Sequence, residues 1–131
     1  FVDKVIHKPI DLNEKILSGN GIIYSPTVLT SRQIMTQVGG FDPNMKRGVD
    51  SEFYRTCIVQ YKYYVYFMDE ITTKIREYGD DRMTLALDEK EIVKAIIANL
   101  YLVKKYYRHY FFSPRAMLAR FRTILFLLVN Y

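Results

Sequence analysis

Two glycine-anchored turns around a short polar loop constrain this chain more than any other feature. The first is Gly39-Gly40-Phe41-Asp42; the second, after Pro43 to Arg47, is Gly48-Val49-Asp50-Ser51-Glu52-Phe53. Gly39 follows Ile34, Met35 and Val38, the apolar side of a short helix over 31–38. Thr30 and Gln33 form a capping-box pattern ahead of it, and a glycine at its end can take positive φ. From Asp50 the spacing of Phe53, Cys57, Ile58 and Tyr61 predicts a second amphipathic helix of about three turns. The unit therefore brings an acid to the start of a helix, next to a loop that carries Lys46 and Arg47.

The segments around this unit predict strands. Ser18-Gly19-Asn20-Gly21 is a turn signal, and Ile22, Ile23 and Tyr24 after it read as a strand, with one helical turn around Leu12–Leu17 before it. Tyr63 to Met68 is aromatic and β-branched, and Ile71, Thr73 and Ile75 alternate with Thr72, Lys74 and Arg76, so two further strands are expected. The first part of the chain thus reads as α/β, an arrangement that binds ligands at its loops. The remainder reads as helical. Asp88 and Glu91 form a capping pattern, and Ile92, Ile96, Leu100, Val103 and Tyr107, supplemented by Val93 and Ile97, predict a helix of about five turns. Ser113-Pro114 opens a last helix with Leu118, Phe121, Leu125 and Leu128 at apolar spacing and Arg115, Arg120 and Arg122 on its first half.

Composition bounds the function. Half of the 131 residues are hydrophobic and a quarter charged, which suits one folded domain rather than a disordered chain. The net charge of +5 is a mild bias toward anionic partners. A single cysteine, Cys57, excludes an internal disulfide and reads as a small core residue. His7 has no second ligand at metal spacing. The longest apolar run, Ile124 to Val129, is too short to span a bilayer. The chain opens Phe-Val-Asp-Lys without an initiator methionine, as a fragment or processed form would.

Two readings of the acids stay open at this point. An ionised Asp50 at a helix start can accept a proton from an incoming hydroxyl, or it can simply cap the helix. Asp42, after Gly-Gly-Phe and before Pro43, can line a pocket or fix an Asx-type turn.

Residues 18–84 resemble the C-terminal half of a family 2 glycosyltransferase with the GT-A fold. The resemblance rests on Val38-Gly39-Gly40-Phe41-Asp42, then Gly48-Val49-Asp50 with Glu52, Phe53 and Arg55, then Ile75-Arg76-Glu77-Tyr78 ahead of the turn from Gly79 to Thr84. It implies an α/β acceptor-side half-domain over 1–86 and a helical extension over 87–131. Asp50 would be the catalytic base of an inverting transfer from a nucleotide-diphosphate sugar to a hydroxyl acceptor, a saccharide or a lipid-linked one. Gly39, Gly40, Phe41, Asp42 and Glu52 would shape the acceptor side, and Arg76, Tyr78 and Arg82 the donor side or its mobile loop. Two positions depart from the pattern: Val49 stands where an acid usually precedes the base, and Tyr78 where some relatives carry histidine. Asp80-Asp81 follows the base rather than preceding it, so the D-x-D motif and its divalent metal (Mg²⁺ or Mn²⁺) belong to a donor half ahead of residue 1. This chain alone is expected to bind neither metal nor donor.

The resemblance also sets the expected setting: surface-polysaccharide or glycolipid synthesis, in the cytoplasm or at the inner face of the membrane. A half sheet would expose an edge and favour homo-oligomers. The Lys, Arg, Tyr and Phe of the last helices fit either packing on the core or another subunit, or an interfacial membrane contact. A non-catalytic basic module is the alternative function. Nucleic acid is the weaker partner for it, because the cations from Lys104 to Arg108 gather at one helix end without a recognition motif.

Overall fold

The computed structural model describes residues 12–19, 23, 25–66, 71, 73–74 and 88–130. In chain order these form α1 (Asn13–Ser18), a 3₁₀ turn (Ser25–Thr27), α2 (Arg32–Val38) and α3 (Val49–Arg55), which runs on as a π-turn (Thr56–Gln60). The long α4 (Glu89–Lys105), the short α5 (Tyr107–Phe111) and α6 (Pro114–Asn130) follow. The described residues are helical with no strand or sheet, which overturns the expected α/β half of a GT-A fold.

The reason is visible where the second expected strand begins. Tyr63 spends its N–H on the Cys57 carbonyl at the end of the π-turn (3.0 Å), and Lys62 before it takes a φ of 59°. A strand would need that N–H for a ladder. The two-residue alternation survives as exposure only: Tyr63 and Val65 are half-buried, Tyr64 and Tyr66 exposed. Residues 71, 73 and 74 are likewise not in a strand, and Thr73 donates its hydroxyl to the Pro26 carbonyl (3.0 Å). Ile23 is also outside any strand, while positions 22, 24, 67, 68, 72, 75 and 76 of the expected strands lie outside the described residues. Without a sheet among the described residues, the sheet-edge argument for self-association falls as well.

Helix ends follow the sequence closely. α2 stops at Gly39, whose φ of 86° admits a Schellman-type closure with Gly40 N–H on the Met35 carbonyl (2.9 Å) and Gly39 N–H on that of Thr36 (3.2 Å). Its N-cap is Ser31 rather than Thr30: the Ser31 hydroxyl accepts from Ile34 N–H at 3.2 Å. Asp88 caps α4 by accepting from Glu91 N–H (2.8 Å), and α6 opens at Pro114.

One core joins Leu12, just ahead of α1, and Ile16 and Leu17 of α1 to Met45, Ile58 and Val59, and to Ala98, Leu102, Tyr106, Tyr110 and Ala116. Cys57 is buried and free, and burial pushes its thiol up to about 11. The carbonyl end of α1 is held by two buried guanidiniums and a phenol. Arg120 Nε donates to Leu17 O (2.7 Å), Arg55 Nε to Ile16 O (3.1 Å), and the Tyr110 hydroxyl to Leu17 O (2.8 Å). Cations suit this negative end of a helix. Gly19 makes the approach feasible: at a φ of +86°, a Cβ there would stand 2.7 Å from Arg120 Nη1.

The rotations of α4 and α6 differ from the apolar stripes read in the sequence. α4 buries Ile92, Ala98 and Leu102 and leaves Val93, Ile97 and Leu100 exposed; α6 buries Ala116, Arg120 and Ile124 and leaves Leu118, Phe121, Leu125 and Leu128 exposed. Polar anchors decide this. Arg120 binds the α1 carbonyls and reaches Asn99 Oδ1 on α4 (3.1 Å), so it must face inward, which turns the leucine stripe out. Replacing Arg120 with Met should strand these buried acceptors and lower stability by about 3 kcal/mol, measured by urea unfolding.

Candidate functional site

The glycine unit folds into a carboxylate cluster against α4. Asp42 Oδ1 accepts from Asn44 N–H (2.9 Å), an Asx turn that closes the loop after Phe41. Its Oδ2 accepts from Tyr101 OH (2.8 Å) and from Lys105 Nζ (2.7 Å). Tyr101 and Lys105 lie one turn apart on α4, so both reach the same oxygen. Burial alone would raise the Asp42 pKa. The hydrogen bonds from Lys105, Asn44 N–H and Tyr101, with the Lys105 charge, outweigh it and hold the carboxyl well below the usual carboxylate range.

Glu52, on the first turn of α3, is 1% exposed. Its Oε1 takes the same ammonium (Lys105 Nζ, 2.7 Å), the Thr56 hydroxyl (2.7 Å) and Tyr106 OH (2.9 Å). Thr56 and Tyr106 also bond each other at 2.6 Å. Burial is the main reason the Tyr106 phenol is pushed far up, with the Glu52 charge adding to it. Burial lowers the Lys105 pKa, but its bonds to Asp42 and Glu52 outweigh that and raise it overall. One lysine is thus shared by two carboxylates, one from the Asx loop and one from α3.

Asp50 differs from its two neighbours. Gly48 stands ahead of α3 at a φ of 69°, and Asp50 is half-buried on the first turn. Its Oδ1 accepts from Ser51 N–H (2.8 Å), and its Oδ2 accepts from the Ser25 hydroxyl of the 3₁₀ turn. Among the described residues no cation lies within ion-pair distance of it. Phe41 is exposed and meets Phe53 edge-on at 5.4 Å between ring centroids. Gly39 is exposed and Gly40 half-buried beside it. Arg55 turns away to the α1 carbonyl; burial, then the charge of Arg120, pull its pKa down to about 10.

Of the residues singled out from the sequence, Asp42 and Glu52 are brought together, through Lys105. Asp50 shares the first turn of α3 with Glu52. Arg76, Tyr78 and Arg82, like His7, lie outside the described residues. Sequence reasoning missed Ser25, Thr56, Tyr101, Lys105 and Tyr106. In the sequence Lys105 read only as one of the cations gathered at a helix end, and no local pattern marked it as the partner of Asp42 and Glu52. The divalent metal implied by the resemblance does not fit these carboxylates, since an ammonium already sits on both Asp42 and Glu52. Among the described residues no group of three His, Cys, Asp or Glu is placed to hold a metal ion.

The chain matches no protein-family model, no curated protein and no solved structure at a significant level.

Two outcomes test this geometry. Lys105→Met would leave Glu52 buried without a counter-charge and should cost about 3 kcal/mol in urea unfolding. Asp42 has a depressed folded pKa, so its contribution is complete above the unfolded value of about 4 and is lost as pH falls below it. Asp42→Asn should therefore flatten the decline in stability between about pH 5 and pH 2, followed by the urea midpoint.

Proposed function

We propose that this chain supplies the acceptor side of an inverting sugar transferase, with Asp50 as the general base. The observation that carries the reading is the contrast among the three acids of the glycine unit. Asp42 and Glu52 share Lys105, whereas Asp50 is half-buried, oriented by Ser25 and Ser51, and has no cation partner among the described residues. A carboxylate held in one orientation by neutral donors keeps a lone pair for an incoming hydroxyl. The order of Gly39 to Asp42 and Gly48 to Arg55, with its resemblance to family 2 glycosyltransferases, supports sugar transfer as the reaction.

In this reaction the acceptor O–H loses its proton to the Asp50 carboxylate as its oxygen bonds to the anomeric carbon. The bond from that carbon to the nucleotide diphosphate breaks, and the diphosphate leaves from the opposite face with the electron pair. The anomeric configuration inverts. Phe41, exposed beside Phe53, offers an apolar ring face to a sugar. Asp42 and Glu52 act as positioning residues: with Lys105 they tie the loop and the start of α3 to α4 and so fix where Asp50 stands.

On this reading the chain supplies the acceptor side alone, so calorimetry should detect no UDP-sugar binding to the 131 residues by themselves. In an enzyme that holds both donor and acceptor, Asp50→Asn should lower transfer, followed as nucleotide-diphosphate release, by about a thousandfold while donor affinity stays within a factor of about two. Near-normal turnover of the variant would overturn the assignment.

A further inference from the structure

The outward face of α6 has a composition that no part of the carboxylate site explains. Leu118, Leu125 and Val129 run along its centre, Phe121 and Leu128 along one flank, and Arg115, Arg122 and Phe126 along the other, all exposed. Leu125 is 61% exposed and Phe126 60%. At the joint with α5, Phe111 and Phe112 are 75% and 83% exposed. Arg115 and Arg122 are one heptad apart and so lie along the same edge. Arg108 and Lys104, also exposed, extend the basic character toward α4. The charge is one-sided: residues 92–131 contain seven Lys or Arg and no Asp or Glu.

We infer that α6, with Phe111 and Phe112, docks in the plane of an anionic lipid surface. An apolar face with arginines along its edge can sink about 5–10 Å into the headgroup region while the guanidiniums stay at phosphate level. Among the described residues no helix is long and apolar enough to cross a membrane, so the helix lies along the surface. A second copy of the chain is the poorer occupant. A two-fold contact would set Arg115 and Arg122 of each copy against a face with no carboxylate to receive them. The inference stands apart from the sugar-transfer reading, since Asp50, Asp42 and Glu52 contribute nothing to it.

The test is flotation of the 131-residue chain with vesicles of equal parts phosphatidylglycerol and phosphatidylcholine, against pure phosphatidylcholine. Binding is expected to the anionic vesicles, weakening with salt. Arg115→Gln with Arg122→Gln should reduce that affinity by roughly tenfold or more, since each cation near such a surface contributes about fivefold. Leu118→Asn with Leu125→Asn should abolish it while circular dichroism stays helical, because both positions are exposed. Failure of the folded wild-type chain to float with anionic vesicles would overturn the inference. So would sedimentation velocity showing a dimer that the leucine variants dissociate, or retention on single-stranded DNA in place of vesicle binding.

Discussion

The ammonium of Lys105, placed between Asp42 and Glu52, is the interaction on which the arrangement around the glycine unit depends. It joins three pieces of chain that are far apart in sequence: the Asx loop, the start of α3 and the end of α4. Taking Glu52 out of water is costly, and a carboxylate so buried needs a cation and further donors to be tolerated. Thr56 and Tyr106 are those donors, and Tyr101 serves Asp42 in the same way. Removing any one partner leaves the others buried with a bond unmade, so the cluster specifies a single geometry more than it adds net stability.

A second polar constraint acts at the other end of the core. The carbonyls that close α1 receive Arg120, Arg55 and Tyr110, drawn from α6, α3 and α5. Hydrophobic burial is non-directional and would accept several rotations of α4 and α6. Hydrogen bonds are directional, and these select one rotation. The consequence reaches the surface: turning Arg120 inward turns Leu118 and Leu125 outward. The same choice leaves α6 with a face suited to a lipid surface.

Local signals were legible because they depend on residues a few positions apart. Gly39 ended α2 because only a residue at ease with positive φ can make that closure, and Asp88 capped α4 through its own side chain. The one-residue shift from Thr30 to Ser31 is a choice between adjacent hydroxyls that spacing alone does not resolve. Strands were not legible in the same way. Tyr63 to Tyr66 has the alternation of a strand and even shows it in burial, yet a strand exists only when another pairs with it. Of the candidate site, the acids could be read from the glycine motif, but their cation could not. Lys105 lies 53 residues after Glu52, and nothing local marks it as the partner.

What the sequence by itself determined is the end of α2 at Gly39, the starts of α4 and α6, and the delivery of Asp50 and Glu52 to one helix turn. Each follows from backbone conformations and hydrogen bonds within a few residues. The tertiary structure alone decided that Asp42 and Glu52 share one lysine while Asp50 has no such partner among the described residues. It also decided that α6 buries an arginine and exposes its leucines. Both outcomes depend on which distant groups arrive at a buried polar atom, and periodicity carries no information about that.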